Sequence, residues 1–267
     1  MKKYLLTVGI ILVFFVVGLS GCFDLVSKEF NGEYEADKNT ILKVTNINGK
    51  IEINSWDGNT VTLDAEISSN RGNDELEKIQ IDVVESNNVI DIQTKYLGTG
   101  NCKASTDMII KVPTFVTVDM VTTSNGDIRV SETKGNITAH SSNGGITIVD
   151  VDGYVALSSS NGDIEVKGTT GIADLDTSNG DIRVRIFDFQ ENINIGTSNG
   201  DINVYINPSL NATIDMTTSN GQISISGVSL NLTTDEEERK VGNLGGSGNT
   251  ITITTSNGDI YLYKLNI

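Results

Sequence analysis

Five aspartates recur in one setting: Asp127, Asp163, Asp181, Asp201 and Asp259 each directly follow an Asn-Gly pair. Gly145 and Gln222 hold the same place in two further copies of the pair. If these positions stack, like charges one strand apart repel and invite a cation such as calcium, with Asp163, Asp181 and Asp201 as candidate ligands. The glycine-rich nonapeptide rolls that hold calcium set Asp two residues after Gly, twice per coil. Here Asp follows Gly at once, and once per coil. The expected state is a row of solvated, outward carboxylates without a cofactor, with low-affinity calcium as the alternative.

The rest of the chemical inventory is thin. His140 is the single histidine, too few for a histidine metal site, and no Ser-His-Asp arrangement is indicated. Glycan cleavage on a β-helix needs a carboxylate pair or a basic residue in a groove walled by long loops and aromatics. One Trp (Trp56) and short repeats do not supply that setting. The chain is expected not to be an enzyme, a glycan-active β-helix being the catalytic alternative. Asp235, Glu236, Glu237, Glu238, Arg239 and Lys240 form a dense charge run, solvated in one reading and a partner contact in the other. Phe187, Phe189 and Tyr205 either cover the base of that loop or form a small binding patch. Asn136, Asn211 and Asn231 fit the glycosylation acceptor pattern.

The elements that position these residues are written into one phrase, Ser-Asn-Gly-Asp-Ile, and its near copies. Its asparagines are Asn125, Asn143, Asn161, Asn179, Asn199, Asn220 and Asn257, spaced by 18, 18, 18, 20, 21 and 37 residues. A steady period of this size marks a solenoid, in which each repeat must stack on its neighbours to bury its apolar face. Asn-Gly turns the chain, since both residues tolerate positive φ. The residues after the turn alternate with period two, as in Asp163-Ile164-Glu165-Val166, which is a strand with one buried face. Ile128, Ile146, Ile164, Ile182, Ile202, Ile223 and Ile260 should therefore form one interior column. Stacked asparagine amides about 4.8 Å apart should hydrogen-bond along the stack as a structural ladder.

A second strand precedes each turn. Its inward pairs are expected to be Ile137 and Ala139, Val155 and Leu157, Ala173 and Leu175, Ile193 and Ile195, Ile214 and Met216, and Ile251 and Ile253. In the longer repeats this pair is displaced by the whole excess length, so insertions enter between the first strand and the second. The 37-residue interval then reads as one coil with a loop over about 231–248, bulging beside Phe187 and Pro208.

Residues 1–22 read as a targeting segment: Lys2 and Lys3, an apolar Leu5 to Val17, and Leu19-Ser20-Gly21-Cys22, a bacterial lipoprotein cleavage pattern with Cys22 acylated. The alternative is a plain membrane anchor, and either places the remainder outside the cytoplasmic membrane. Without the two lysines the chain carries 17 basic and 35 acidic residues, a net of −18 (19 − 2 − 35). That charge excludes nucleic acid as a partner. Once Cys22 is acylated, Cys102 is the only thiol and no internal disulfide is available. Residues 23–39 are polar and read as a tether, 40–113 as irregular strand-like coils capping the stack, and 114–267 as the repeat solenoid.

Several features now form a series. They are Lys50-Ile51-Glu52-Ile53 after Asn48-Gly49, Lys111-Val112-Pro113, the serial phrases, and the Gly-rich Val241 to Gly248 before the last copy. Together they resemble the family of candidate adhesins of unknown function, relatives of the toast-rack β-helix domains found beside bacterial envelope-stress proteins. The resemblance runs from Thr40 to the C-terminus. It implies a right-handed parallel β-helix displayed outside the cell and carries over no catalytic residues. The expected protein is an all-β, single-stranded parallel solenoid with about 18 residues per coil. It would be anchored to the membrane by lipid and bind a surface protein or glycan. An accessory role in envelope-stress sensing, with a membrane-protein partner, is the alternative.

Overall fold

The computed structural model describes residues 25–246 and 248–266, with the backbone of the two-residue strand Phe15–Val16. Cys22 lies outside the described residues. The described chain is all-β apart from one short helical turn, Asn73–Leu76. Alternating residues place the isoleucines after each turn opposite one another in parallel register: Ile128, Ile146, Ile164, Ile182, Ile202. A second parallel family aligns Ala139, Leu157, Leu175 and Ile195. All are buried in one continuous core. Burying each of these isoleucines and leucines is worth about 1.5–3 kcal/mol, and Cys102 is a free thiol among the described residues.

One interior position differs from the expected phase. Ala173 is exposed, and Ile172, opposite Val155, is buried in its place. The register slips by one residue there, a β-bulge that brings the larger apolar side chain inward and restores alignment at Leu175.

The coils do not stack in chain order at either end. Ile41–Asn48 lies between Thr117–Asn125 and Val89–Tyr96, and Ile51–Trp56 between Ile128–Ser131 and Ala104–Pro113. At the other end, Thr250–Asn257 lies between Ile193–Asn199 and Ala212–Asn220. Ile260–Lys264 likewise lies between Ile202–Ile206 and Ile223–Ser226. The first and last coils of the chain are each second from an end of the stack. Both are thereby held by a neighbour on each side.

Antiparallel strands close three of the four sheet edges that the stack ends would expose. Ile79–Ser86 covers Val89–Tyr96 through the turn Asn87-Asn88, where both φ angles are positive (52° and 64°). Thr60–Ser69 covers Ala104–Pro113, and Val26–Glu35 pairs along its far side. Arg239–Leu244 covers Ala212–Asn220, with Leu230–Asp235 beyond it. Covering an edge removes a template for pairing with other chains.

Three expectations are corrected by these pairings. Residues 26–35 are a strand and not a tether: Phe30 packs against the core and Tyr34 is part of it, four residues apart on one face. Over residues 40–113, two coils, Ile41–Trp56 and Val89–Pro113, are separated in sequence by two antiparallel strands, Thr60–Ser69 and Ile79–Ser86, in place of an unbroken run of irregular coils. The interval expected to be a loop over 231–248 holds a capping hairpin, Leu230–Asp235 paired with Arg239–Leu244, although Asn249 and Thr250 do reach the expected edge. There Asn249 Nδ2 donates to the Gln190 carbonyl at 2.8 Å, and the Thr250 N–H donates to Asn192 Oδ1 at 2.8 Å.

Candidate functional site

The asparagine column is a continuous amide ladder. Asn125 Nδ2 donates to Asn48 Oδ1 at 2.6 Å, and Asn143, Asn161, Asn179 and Asn199 each donate to the preceding amide at 2.8–2.9 Å. The ladder then passes from Asn199 to Asn257 and on to Asn220, at 2.9 and 3.1 Å, tracking space and not sequence. At its foot Asn48 Nδ2 donates to the Ala104 carbonyl at 3.1 Å.

The aspartate column is also structural. Asp163 Oδ1 accepts the Asp181 N–H, Asp181 Oδ1 the Asp201 N–H and Asp201 Oδ1 the Asp259 N–H, each at 2.8 Å. Asp127 does the same for Gly145, and Asp259 for Gln222, at 2.8 Å. Each carboxylate therefore links two coils rather than standing free in solvent. Charge-assisted bonds of this type are about twice as strong as neutral ones, which offsets repulsion along the column. Among the described residues, no group of three or more His, Cys, Asp or Glu is arranged to hold a metal ion.

A third ladder escaped sequence reasoning. Two residues before each asparagine from Asn143 onward stands a hydroxyl: Ser141, Ser159, Thr177, Thr197, Thr255 and Thr218. Each is buried and donates to a glycine carbonyl of the neighbouring coil at 2.9–3.0 Å. The signal was present, because every phrase reads Ser/Thr-Ser-Asn-Gly with the hydroxyl at a fixed offset. The glycine that accepts is crowded. At Gly200 φ is +152°, and a Cβ there would stand 2.1 Å from the Gly180 carbonyl oxygen.

The charge run has a local structural use. Arg239 makes a two-pronged contact with Asp215 (Nε–Oδ1 3.2 Å, Nη2–Oδ2 2.9 Å), and Lys240 pairs with Asp235. The bond to Asp215 holds the Arg239 guanidinium above its ordinary pKa. Glu236, Glu237 and Glu238 are exposed at the hairpin turn. His140 is exposed too, its Nδ1 2.8 Å from Ser158 Oγ.

The outward face of the first strands changes character along the stack. In the middle it is charged: Glu165 pairs with Lys167 at 2.7 Å and approaches Arg183 at 3.9 Å, beside a shallow groove of about 660 Å³. Toward the C-terminal coils it becomes aromatic. Of the three aromatics expected to cover the loop base or form a binding patch, Tyr205 is engaged with another tyrosine. It stacks on Tyr263 with ring centroids 5.1 Å apart, and Tyr261 lies 6.1 Å from Tyr263 with ring planes within 6° of parallel. Phe189 packs against the core instead.

Comparison with known proteins agrees with this architecture. Residues 104–263 match the family described as Toastrack DUF4097. A crystal structure from Bacteroides fragilis, described as a candidate adhesin, is 15% identical, covers 89% of this chain and 97% of its own, and superposes with a TM-score of 0.51. A candidate adhesin from Parabacteroides merdae (14% identity, coverage 88% and 96%) has a TM-score of 0.41. A candidate lipid-binding protein from Parabacteroides distasonis (13% identity, coverage 87% and 96%) has one of 0.38. No curated protein matches the sequence.

Proposed function

The chain belongs to the Toastrack DUF4097 family, and within that family we propose that it is a lipid-anchored rod, outside the cytoplasmic membrane, that binds a surface partner without catalysing a reaction. One observation carries this reading. The recurring polar residues of the repeat (the asparagine, aspartate and Ser/Thr columns) are engaged in holding coil to coil. What remains to act is the outward surface and the stack ends. The Bacteroides fragilis protein of like fold is described as a candidate adhesin, which supports a binding role. The net charge of −16 for the whole chain argues against anionic partners such as nucleic acid. The winding is taken as right-handed, the usual sense of parallel crossovers, with neighbouring regular coils offset by 18 residues.

Anchoring is tested through Cys22. The full chain, expressed in a bacterial host, should acquire lipid, partition with membranes and be cleaved by protease added outside the cell. Cys22→Ser should abolish both acylation and partitioning. Unchanged mass and partitioning in that variant contradict the anchor. For binding, affinity capture with the anchored protein from its native membranes should enrich a surface protein or glycan. Recovery of cytoplasmic material alone contradicts the proposed role.

A further inference from the structure

Three of the four edges at the stack ends are covered by antiparallel strands, and the fourth is not. Ile223–Ser226 pairs with Ile260–Lys264 and with no other described strand. Its outward residues, Ser224 and Ser226, lie opposite Tyr261 and Tyr263. The ring geometry fixes what they leave open. Neighbouring strands are about 4.8 Å apart, so a 5.1 Å centroid distance between Tyr205 and Tyr263, on adjacent strands, means that the rings overlap along the stack. Tyr261 and Tyr263 are two residues apart on one strand, a span of about 6.6 Å. Their 6.1 Å separation with nearly parallel planes therefore sets them side by side. Tyr205 covers one face of Tyr263. The other face, and the adjoining face of Tyr261, look over two exposed serines. The result is a step: a wall of two aligned tyrosine rings above a floor of small hydroxyl side chains.

The step is polar at its margin. Tyr261 donates its hydroxyl to Asp259 Oδ2 at 2.8 Å, which fixes the ring and holds the phenol above its ordinary pKa. Asp259 also accepts the Gln222 N–H from the edge coil, so wall and floor are tied together. Flat aromatic faces with hydroxyl and carboxylate groups at their edge suit a ring that has an apolar face and a polar rim.

We propose that this step binds the pyranose rings of an uncharged oligosaccharide, stacked on Tyr261 and Tyr263 with hydroxyls reaching Ser224, Ser226 and Asp259. The charge of the chain and the nearby carboxylates Asp201 and Asp259 disfavour acidic sugars. A peptide strand added to the open edge would find four residues to pair with before Gly227, whose φ of +69° turns the chain away. The proposal rests on the reading of the rod as a surface binding module and names the ligand class of that module.

The test uses the full-length protein in detergent with neutral gluco- and manno-oligosaccharides, an acidic oligosaccharide and an extended peptide as probes. The neutral sugars should bind. Tyr261→Ala and Tyr263→Ala should each weaken them about tenfold, the worth of one aromatic contact of roughly 1.4 kcal/mol. Ser226→Tyr continues the ring ladder and fills the step, so it should abolish binding without lowering the thermal midpoint. That keeps the proposal testable even if the alanine variants lose stability. Preference for the acidic probe or the peptide overturns it, as does undiminished sugar binding by Ser226→Tyr. Retention of the rod on cells without binding of any neutral sugar overturns this site while leaving the surface-module reading standing.

Discussion

Replacing Gly200 by Ala tests one of the close glycine contacts between coils. A Cβ at Gly200 would meet the Gly180 carbonyl oxygen at 2.1 Å and its carbon at 2.6 Å, so one coil has to move away from the next. The φ of +152° adds backbone strain for any side chain, of about 1–3 kcal/mol. The carbonyl that would be displaced accepts the Thr197 hydroxyl at 3.0 Å, and losing a bond of this kind costs a further ~1 kcal/mol. Together these give roughly 2–4 kcal/mol of destabilisation. Gly196 supplies the control, four residues upstream. A Cβ there has no neighbour nearer than 3.4 Å, and alanine reduces the freedom of the unfolded chain, so Gly196→Ala should be neutral or stabilising by up to ~0.5 kcal/mol. Urea unfolding monitored by circular dichroism, read as a midpoint shift at constant slope, separates the two variants. Equal midpoints would refute the close glycine column as the packing constraint of the repeat.

The same contacts set further outcomes. Ile182→Ala should cost about 2–5 kcal/mol in the same denaturation assay, since Ile182 is buried between Ile164 and Ile202. Asp163→Ala should cost about 1–2 kcal/mol rather than the negligible amount expected of a solvated side chain, because the Asp181 N–H loses its acceptor; no change would show the column to be idle. Tyr34, raised from 10.0 to about 12 chiefly by burial and then by Glu85, favours its neutral form in the fold. Its contribution is complete below pH 10 and is lost as pH rises toward 12, so Tyr34→Phe should flatten the stability profile in that window. Deleting residues 230–244 uncovers the outer edge of Ala212–Asn220, and light scattering should report association that the intact chain does not show.

The interior of the rod was legible because a buried isoleucine every coil and an Asn-Gly turn each impose one conformation locally. Insertion phase was legible too, since displaced pairs such as Ile193 and Ile195 are buried where the excess length put them. The order of the end coils was not. Asn257 fits on Asn199 as well as on Asn220, and Ile260 on Ile202 as well as on Ile223, so identical phrases carry no record of who neighbours whom. That choice is made by the hairpin Leu230–Leu244, whose pairing with Ala212–Thr217 keeps this coil outermost. The aspartates were misjudged for a related reason. Alternation shows that they point outward, but only the turn geometry brings each carboxylate under the next coil's N–H. The tyrosine step depends on the same end order: stacked in chain sequence, Ser224 and Ser226 would face Tyr205's coil and the step would not exist.

Engineered disulfides test that order directly. Thr217 and Thr254 are register partners on adjacent strands, within the range of Cα distances that a disulfide spans. Gly196 and Thr217 each pair with Thr254 from opposite sides, which puts them two strands apart, about 9.6 Å. In a Cys102→Ser background, Thr217→Cys with Thr254→Cys should oxidise to a single intramolecular species of faster mobility, and Gly196→Cys with Thr217→Cys should remain reduced. Bridging of the second pair would mean that the coils stack in chain order, and the interposed last coil would be wrong.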